Sequence, residues 1–259
     1  MKKTFLTKSI LVVFSVAIFA SCEVAEKTES KSTSEEAVTT DSDTLEQQSV
    51  IASGLTIVDY KPRKTFPEAG FEQLTPKHKA FLQPGEIKFS FNTEKFPFVD
   101  GHSVRLAIEN GTDKFVFDAN KKITLPKGVF LCAAYLCDGR GVSLKNAHST
   151  QLTQLNIGVD EKKEIDLKQP MIFLNLPIER ETANILVDFM LMNIDLSKKG
   201  NKVRLSIDDQ TEMYLDSWRT LEIKGLAKGK HKILVELVND KNLLYEGVYT
   251  HDSRDFEIQ

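Results

Sequence analysis

Arg105 and Arg204 sit in nearly the same pentapeptide, Val104-Arg105-Leu106-Ala107-Ile108 and Val203-Arg204-Leu205-Ser206-Ile207. A guanidinium is a planar fork of donors that suits phosphate or carboxylate. Each arginine alternates outward from apolar neighbours, either as a contact for an anionic partner or as half of a cross-strand charge pair. Cys132 and Cys137 lie five apart on one expected strand, so they face opposite sides and a bridge needs a break in that strand. Zinc spacings and partner ligands are missing, and the pair reads as buried thiols, with Cys137, at the strand end, the one able to reach a turn and react. Asp100, His102 and His148 make a three-ligand site on paper, against the plainer reading of solvated loop histidines; His78, His231 and His251 are scattered. Asn193 with Asp195, and Asp208 with Asp209, offer oxygen ligands suited to calcium, or turn-forming side chains that bond their own backbone. Trp218, Tyr214 and Tyr245 are a candidate sugar-stacking platform, with core burial of the lone Trp as the alternative. No G-x-S-x-G elbow is present, and nothing singles out one carboxylate pair. The expectation is a chain with no catalytic residue, no metal and no cofactor.

The N-terminus carries an address. Lys2, Lys3 and Lys8 precede the apolar run Ile10 to Phe19, followed by Ala20, Ser21 and Cys22. Ten residues rise about 15 Å as a helix, well short of a bilayer core of roughly 30 Å. Residues 1–21 therefore read as a signal peptide. Small residues before a cysteine resemble the bacterial lipobox, which implies cleavage before Cys22 and lipidation of its thiol; Phe19 stands where an aliphatic residue is usual. Glu23 rather than aspartate follows, so the expected address is the outer membrane of a Gram-negative bacterium, with the leaflet open. Residues 22–50 hold eight acids, two lysines and no aromatic residue, the composition of a disordered, self-repelling tether. Within it Asp43-Thr44-Leu45 resembles an O-glycosylation signal at Thr44.

The chain has 34 bases and 37 acids; setting aside the five bases and eight acids of residues 1–50 leaves 29 of each. A neutral body argues against non-specific nucleic-acid binding, which needs surplus Lys and Arg.

The elements that must carry these residues are short alternating runs bounded by Gly, Pro, Asn and Asp. Ile87, Phe89 and Phe91 point one way, with Lys88 and Ser90 the other, a period of two and therefore strand. No long run has a helical period. The body also repeats itself. The arginine pentapeptides are offset by 99, and Leu125-Pro126-Lys127-Gly128 matches Leu226-Ala227-Lys228-Gly229 at an offset of 101. An apolar strand follows each Lys-Gly, Phe130 to Cys137 and His231 to Val238, and then a turn. The fold class is thus all-β, with two tandem Ig-like β-sandwiches spanning 51–160 and 161–259.

Phe89 to Ile157 and Pro170 to Gly247 resemble a family of tandem Ig-like bacterial lipoproteins often labelled phosphopeptide-binding proteins. The second half carries the closer likeness, through Asp188-Phe189-Met190-Leu191-Met192-Asn193-Ile194-Asp195-Leu196, Gly200-Asn201-Lys202-Val203-Arg204, Trp218 and Gly225-Leu226. Relatives tend to place histidines where this chain has Ser103, Arg105 and Gly141, so no metal site carries over. The function expected is a lipid-anchored binding or assembly module of the cell envelope, without catalysis, whose partner is an envelope protein or glycan. The alternatives are a carbohydrate-binding lipoprotein of a surface uptake system and, more remotely, a hydrolase.

Overall fold

The computed structural model describes residues 50–52, 54–109, 114–118, 122–160, 164–179 and 184–259. The leader and nearly all of the tether, and with them Cys22 and Thr44, lie outside the described residues. The described chain is all-β and forms two β-sandwiches.

The strands before the first sandwich are β1 (Val50–Ala52) and β2 (Leu55–Asp59). Those of the first are β3 (Gly70–Thr75), β4 (Ala80–Leu82), β5 (Gly85–Ile87), β6 (Ser90–Glu94), β7 (Ser103–Glu109), β8 (Lys114–Asp118), β9 (Ile123–Leu125), β10 (Gly128–Cys137) and β11 (Thr150–Ile157). The second contains β12 (Met171–Glu179), β13 (Ile185–Met192), β14 (Lys202–Ile207), β15 (Thr211–Leu215), β16 (Leu221–Lys224), β17 (Gly229–Val238) and β18 (His251–Ile258).

In the second sandwich the sheet β15-β14-β17-β18 faces the sheet β1-β2-β16-β13-β12. Val203, Leu205 and Ile207 of β14 and Ile233, Val235 and Leu237 of β17 meet Ile185, Val187 and Phe189 of β13 in one core. The intervening residues of β14, among them Arg204 and Ser206, alternate outward, as period two demands. In the first sandwich the sheet β4-β11-β10-β7-β8 faces two short ladders, β3-β6 and β5-β9. Ile87, Leu106, Ile108, Phe130 and Leu155 fill that core, with Phe89 and Phe91 packed against it. The repeat read from sequence is therefore structural: β7, β9, β10 and β11 have the positions of β14, β16, β17 and β18. The expected single strand from Ile87 to Phe91 is divided, however, between β5, which pairs with β9, and β6, which pairs with β3.

Two strands are apolar on both faces, and the fold explains why. Residues Phe130 to Cys137 of β10 and Ile185 to Leu191 of β13 are all buried. Phe130, Cys132 and Ala134 face the first core, whereas Leu131, Ala133, Tyr135 and Cys137 face Met171, Phe173 and Met190 on the outer side of β12 and β13. One outer sheet face of each sandwich thus packs on the other, sheet on sheet. Fully burying each Leu, Phe or Met at such a face contributes about 1.5–3 kcal/mol.

The N-terminal segment crosses the division drawn at residue 160. Leu55–Asp59, expected in the first sandwich, pairs antiparallel with β16 and extends the second sandwich's sheet. Leu55 and Ile57 enter the second core, which gives this short strand its apolar partner surface.

Candidate functional site

The sheet-on-sheet face ends in a polar cluster. Register sets Asn175 of β12 opposite Asp188 of β13, and Arg105 of β7 opposite Tyr135 of β10. The Arg105 guanidinium donates to Asn175 Oδ1 at 2.9 Å, and the Tyr135 hydroxyl donates to the same oxygen at 3.1 Å. The Asn175 amide donates to Asp188 Oδ2 at 2.8 Å and to the Gly141 carbonyl at 2.7 Å. Asp188 also accepts the Ser143 backbone N–H at 2.7 Å, the Thr220 hydroxyl at 2.6 Å and the Lys145 ammonium at 2.5 Å. Lys145 gives its other protons to Ser143 Oγ at 2.6 Å and the Phe189 carbonyl at 2.7 Å. Its ammonium lies 5.2 Å from the Trp218 ring centroid and 5.6 Å from that of Phe189.

The electrostatics follow from this wiring. Asp188 is wholly buried, which alone would raise its carboxyl; the Lys145 charge and the hydrogen bonds from Lys145, Thr220 and Asn175 outweigh burial and hold it below the usual carboxylate range. Burial lowers Lys145, opposed by Asp188. Ser143 beside Lys145 has the composition of a nucleophile and a base, but the amine has no open lone pair while three acceptors hold three protons. The cluster is a structural joint: the contacts of Arg105, Tyr135 and Gly141 with Asn175, of Ser143 and Lys145 with Asp188, and of Lys145 with the Phe189 carbonyl tie one sandwich to the other.

Beside the joint lies a cleft of about 330 Å³, walled by Tyr60, Pro62, Phe66 and Trp218 and floored by Lys145 and Thr220. The segment 60–67, crossing from β2 to β3, roofs it.

The other candidates are placed as follows. Arg204 lies on the open outer face of β14, where its Nε and Nη2 donate to Glu236 Oε2 at 2.8 and 2.5 Å. The two arginines thus share a position in the repeat and are both occupied by protein acceptors, Arg105 in the joint and Arg204 in a cross-strand charge pair. Cys132 and Cys137 are free, buried and on opposite faces; burial pushes both thiols well above their ordinary range, which keeps them protonated and unreactive. The ring of His102 stacks on Phe96 at 4.9 Å, with Nδ1 2.7 Å from the Pro97 carbonyl. His148 is an exposed residue whose carbonyl accepts the Phe71 N–H. Among the described residues no three His, Cys, Asp or Glu side chains converge as a metal site. The Asn193 amide donates to the Leu167 and Gln169 carbonyls, and the Asp195 carbonyl accepts from Asn201. Asp208 and Asp209 have left-handed φ values of 54° and 55° in the turn between β14 and β15. The Asp208 carboxylate is taken by His231 Nδ1 and the Lys232 N–H, so protein partners already occupy the Asn193 and Asp208 side chains. Trp218 is half-buried, packs against both the second core and the inter-sandwich face, and donates its indole N–H to the Phe189 carbonyl at 2.8 Å. The Tyr245 hydroxyl donates to Asn201, and Tyr214 is exposed, so the three rings serve three different ends.

Sequence reasoning missed Asp188, Asn175, Lys145 and Thr220. A signal for one of them existed: a single aspartate inside the otherwise apolar run from Ile185 to Met192 is a buried charge in need of partners.

No family model and no curated protein matches the chain. Among solved structures, the fibronectin(III)-like modules of Clostridium thermocellum CbhA align with 73% of this chain and 94% of that chain, at 15% identity and a TM-score of 0.28.

Proposed function

We propose that the protein is a non-catalytic binding or assembly module of the cell envelope, anchored through lipid on Cys22 to the outer membrane of a Gram-negative bacterium. One observation carries the non-catalytic part. The largest buried polar cluster described, Asp188 with Lys145, Asn175 and Thr220, is saturated internally and spent on fixing one sandwich to the other. A general base or nucleophile needs an open lone pair within reach of substrate; a scaffold needs what is found, a rigid joint over an apolar face. The lipobox-like run ending at Cys22 and the acidic tether support the anchor, and the neutral body suits an envelope protein or glycan rather than nucleic acid.

The test is acyl labelling and membrane fractionation of the full chain and its Cys22→Ala variant, followed by cross-linked purification from native membranes. Label and membrane retention that both disappear in Cys22→Ala uphold the anchor, and retention of both overturns it. Reproducible enrichment of one envelope component upholds an assembly role, whereas recovery of the bait alone removes a stable protein partner.

A further inference from the structure

The segment 60–67 has no counterpart strand in the sandwich repeat, yet it is fixed at both ends. Tyr60 donates its N–H to the Thr220 carbonyl at 2.9 Å, and its hydroxyl accepts from Arg140 at 2.7 Å. At the far end the Phe66 carbonyl accepts from Asn146 at 3.1 Å, and its ring sits edge-on to Phe96 with centroids 5.2 Å apart. The cleft beneath is therefore preformed. Its volume, about 330 Å³, lies at the small end of ligand sites, which suits a small molecule rather than a macromolecule.

The lining is mostly ring and aliphatic carbon, with four charged side chains. Lys145 is neutralised by Asp188, and Arg219 by Asp59 and Asp216. Asp138 caps its own turn by accepting the Arg140 and Val142 N–H groups. Lys64 remains: its ammonium lies 5.0 Å from the Phe66 centroid and, among the described residues, has no carboxylate within ion-pair distance. Lys61 and Arg63 are exposed on the same segment and make it positively charged.

We infer that this cleft binds a small anionic amphiphile, its ring or short chain between Tyr60, Phe66 and Trp218 and its carboxylate or phosphate against Lys64. The inference goes beyond the proposed module role and stands whether or not Cys22 is acylated. It also has a built-in reporter, since Trp218 is the only tryptophan in the chain.

The experiment uses the full chain carrying Cys22→Ser, so that no attached acyl chain competes, and titrates it with anilinonaphthalene sulfonate, read by energy transfer from Trp218. Expected is saturable binding that weakens with salt and falls about tenfold in Lys64→Glu, the size of one lost charge-assisted contact, with a smaller fall in Lys64→Gln. Lys230→Glu, on the far face, leaves it unchanged. Decanoate or decyl phosphate then displaces the probe at about one-tenth the concentration of decanol. Better displacement by decanoate identifies a free fatty carboxylate as the source, and better displacement by decyl phosphate a lipid phosphate. Non-saturating binding, equal affinity in Lys64→Glu and Lys230→Glu, or displacement by decanol as readily as by decanoate overturns the inference.

Discussion

At an offset of 101, Leu131, Ala133 and Tyr135 on β10 correspond to Lys232, Leu234 and Glu236 on β17. The strands have the same length, neighbours and inward-facing partners, yet the outer face of the first lies under another sheet and that of the second is open. The difference reaches the arginines. Arg105 stands opposite Tyr135 and Arg204 opposite Glu236. A carboxylate opposite arginine suits a solvated face, where the pair stays hydrated. Where the face is covered, a phenol stands at that position, and the guanidinium donates to the amide oxygen of Asn175. The lesson is that equivalent strands of the repeat become a stacking surface or an open face according to their outward residues, and that the charged side chains of the joint, Arg105, Lys145 and Asp188, are each held by hydrogen bonds.

Exchanging residues between the faces breaks this comparison most directly. Leu131→Lys gives β10 the residue that β17 has at the same place, but drives an ammonium into a sealed sheet-on-sheet contact, with the buried Glu109 carboxylate of β7 opposite it. A loss of ~3 kcal/mol or more in urea unfolding is expected, because the pair must form without water in a site packed for leucine. The reciprocal Lys232→Leu changes stability by no more than about 0.5 kcal/mol, because that side chain is exposed. Next in size is Asp188→Asn, which leaves the Lys145 ammonium without a carboxylate and costs about 3 kcal/mol. Glu236→Gln on the open face costs about 1 kcal/mol or less. The folded-state carboxyl of Asp188 lies below its usual 3.8, so its contribution is present above that pH and lost as pH falls through the folded value. The acid limb of the stability profile should therefore flatten in Asp188→Asn.

The turns after the two strands sharpen the comparison further. Asp138 and Asn239 accept equivalent backbone N–H groups, and Gly141 and Asn242 hold the same left-handed position, with φ of 78° and 59°. A Cβ on Gly141 would stand 2.6 Å from Arg105 Nη2, so a side chain here must push the guanidinium away from its contact with Asn175. Gly141→Asn should cost ~2 kcal/mol, read as a fall in the urea midpoint at constant slope. Asn242→Gly should stay within about 0.5 kcal/mol.

Much of this fold was legible because period two and self-similarity are local. Alternation around Val203, Leu205 and Ile207 placed β14, and the two Lys-Gly pairs placed β10 and β17. The apolar run Phe130 to Cys137, and Ile185 to Leu191 with Asp188 as its one polar member, have the pattern of strands covered on both faces, but only partner geometry shows what covers them. The joint was hidden because its members are far apart in the chain, Lys145 lying 43 residues from Asp188. The position of Leu55–Asp59 was hidden for a related reason. An amphipathic strand of five residues satisfies any edge with a matching apolar face, and the second sandwich offers one at β16.

The smallest effect comes from the opposite end of the same strands. Phe130 is fully buried in the first core, and its counterpart on β17 is His231, on the core-facing side but at its rim. Its Nδ1 lies 2.7 Å from Asp208 Oδ2 and its Nε2 2.8 Å from the Ala227 carbonyl. A carbonyl accepts only, so Nε2 carries a proton, and the carboxylate favours a second on Nδ1. Burial works against the charge, but these two partners outweigh it and raise His231 above its ordinary 6.5. The stabilisation is then complete below 6.5 and is lost as pH rises through the higher folded value. Thermal unfolding of the full chain should show Tm falling over that interval by an amount corresponding to less than about 1 kcal/mol. His231→Phe, which restores the residue of the first repeat, should remove the slope. A slope that persists in His231→Phe would assign the neutral-range titration to a different group and leave the two strand ends alike in their response to pH.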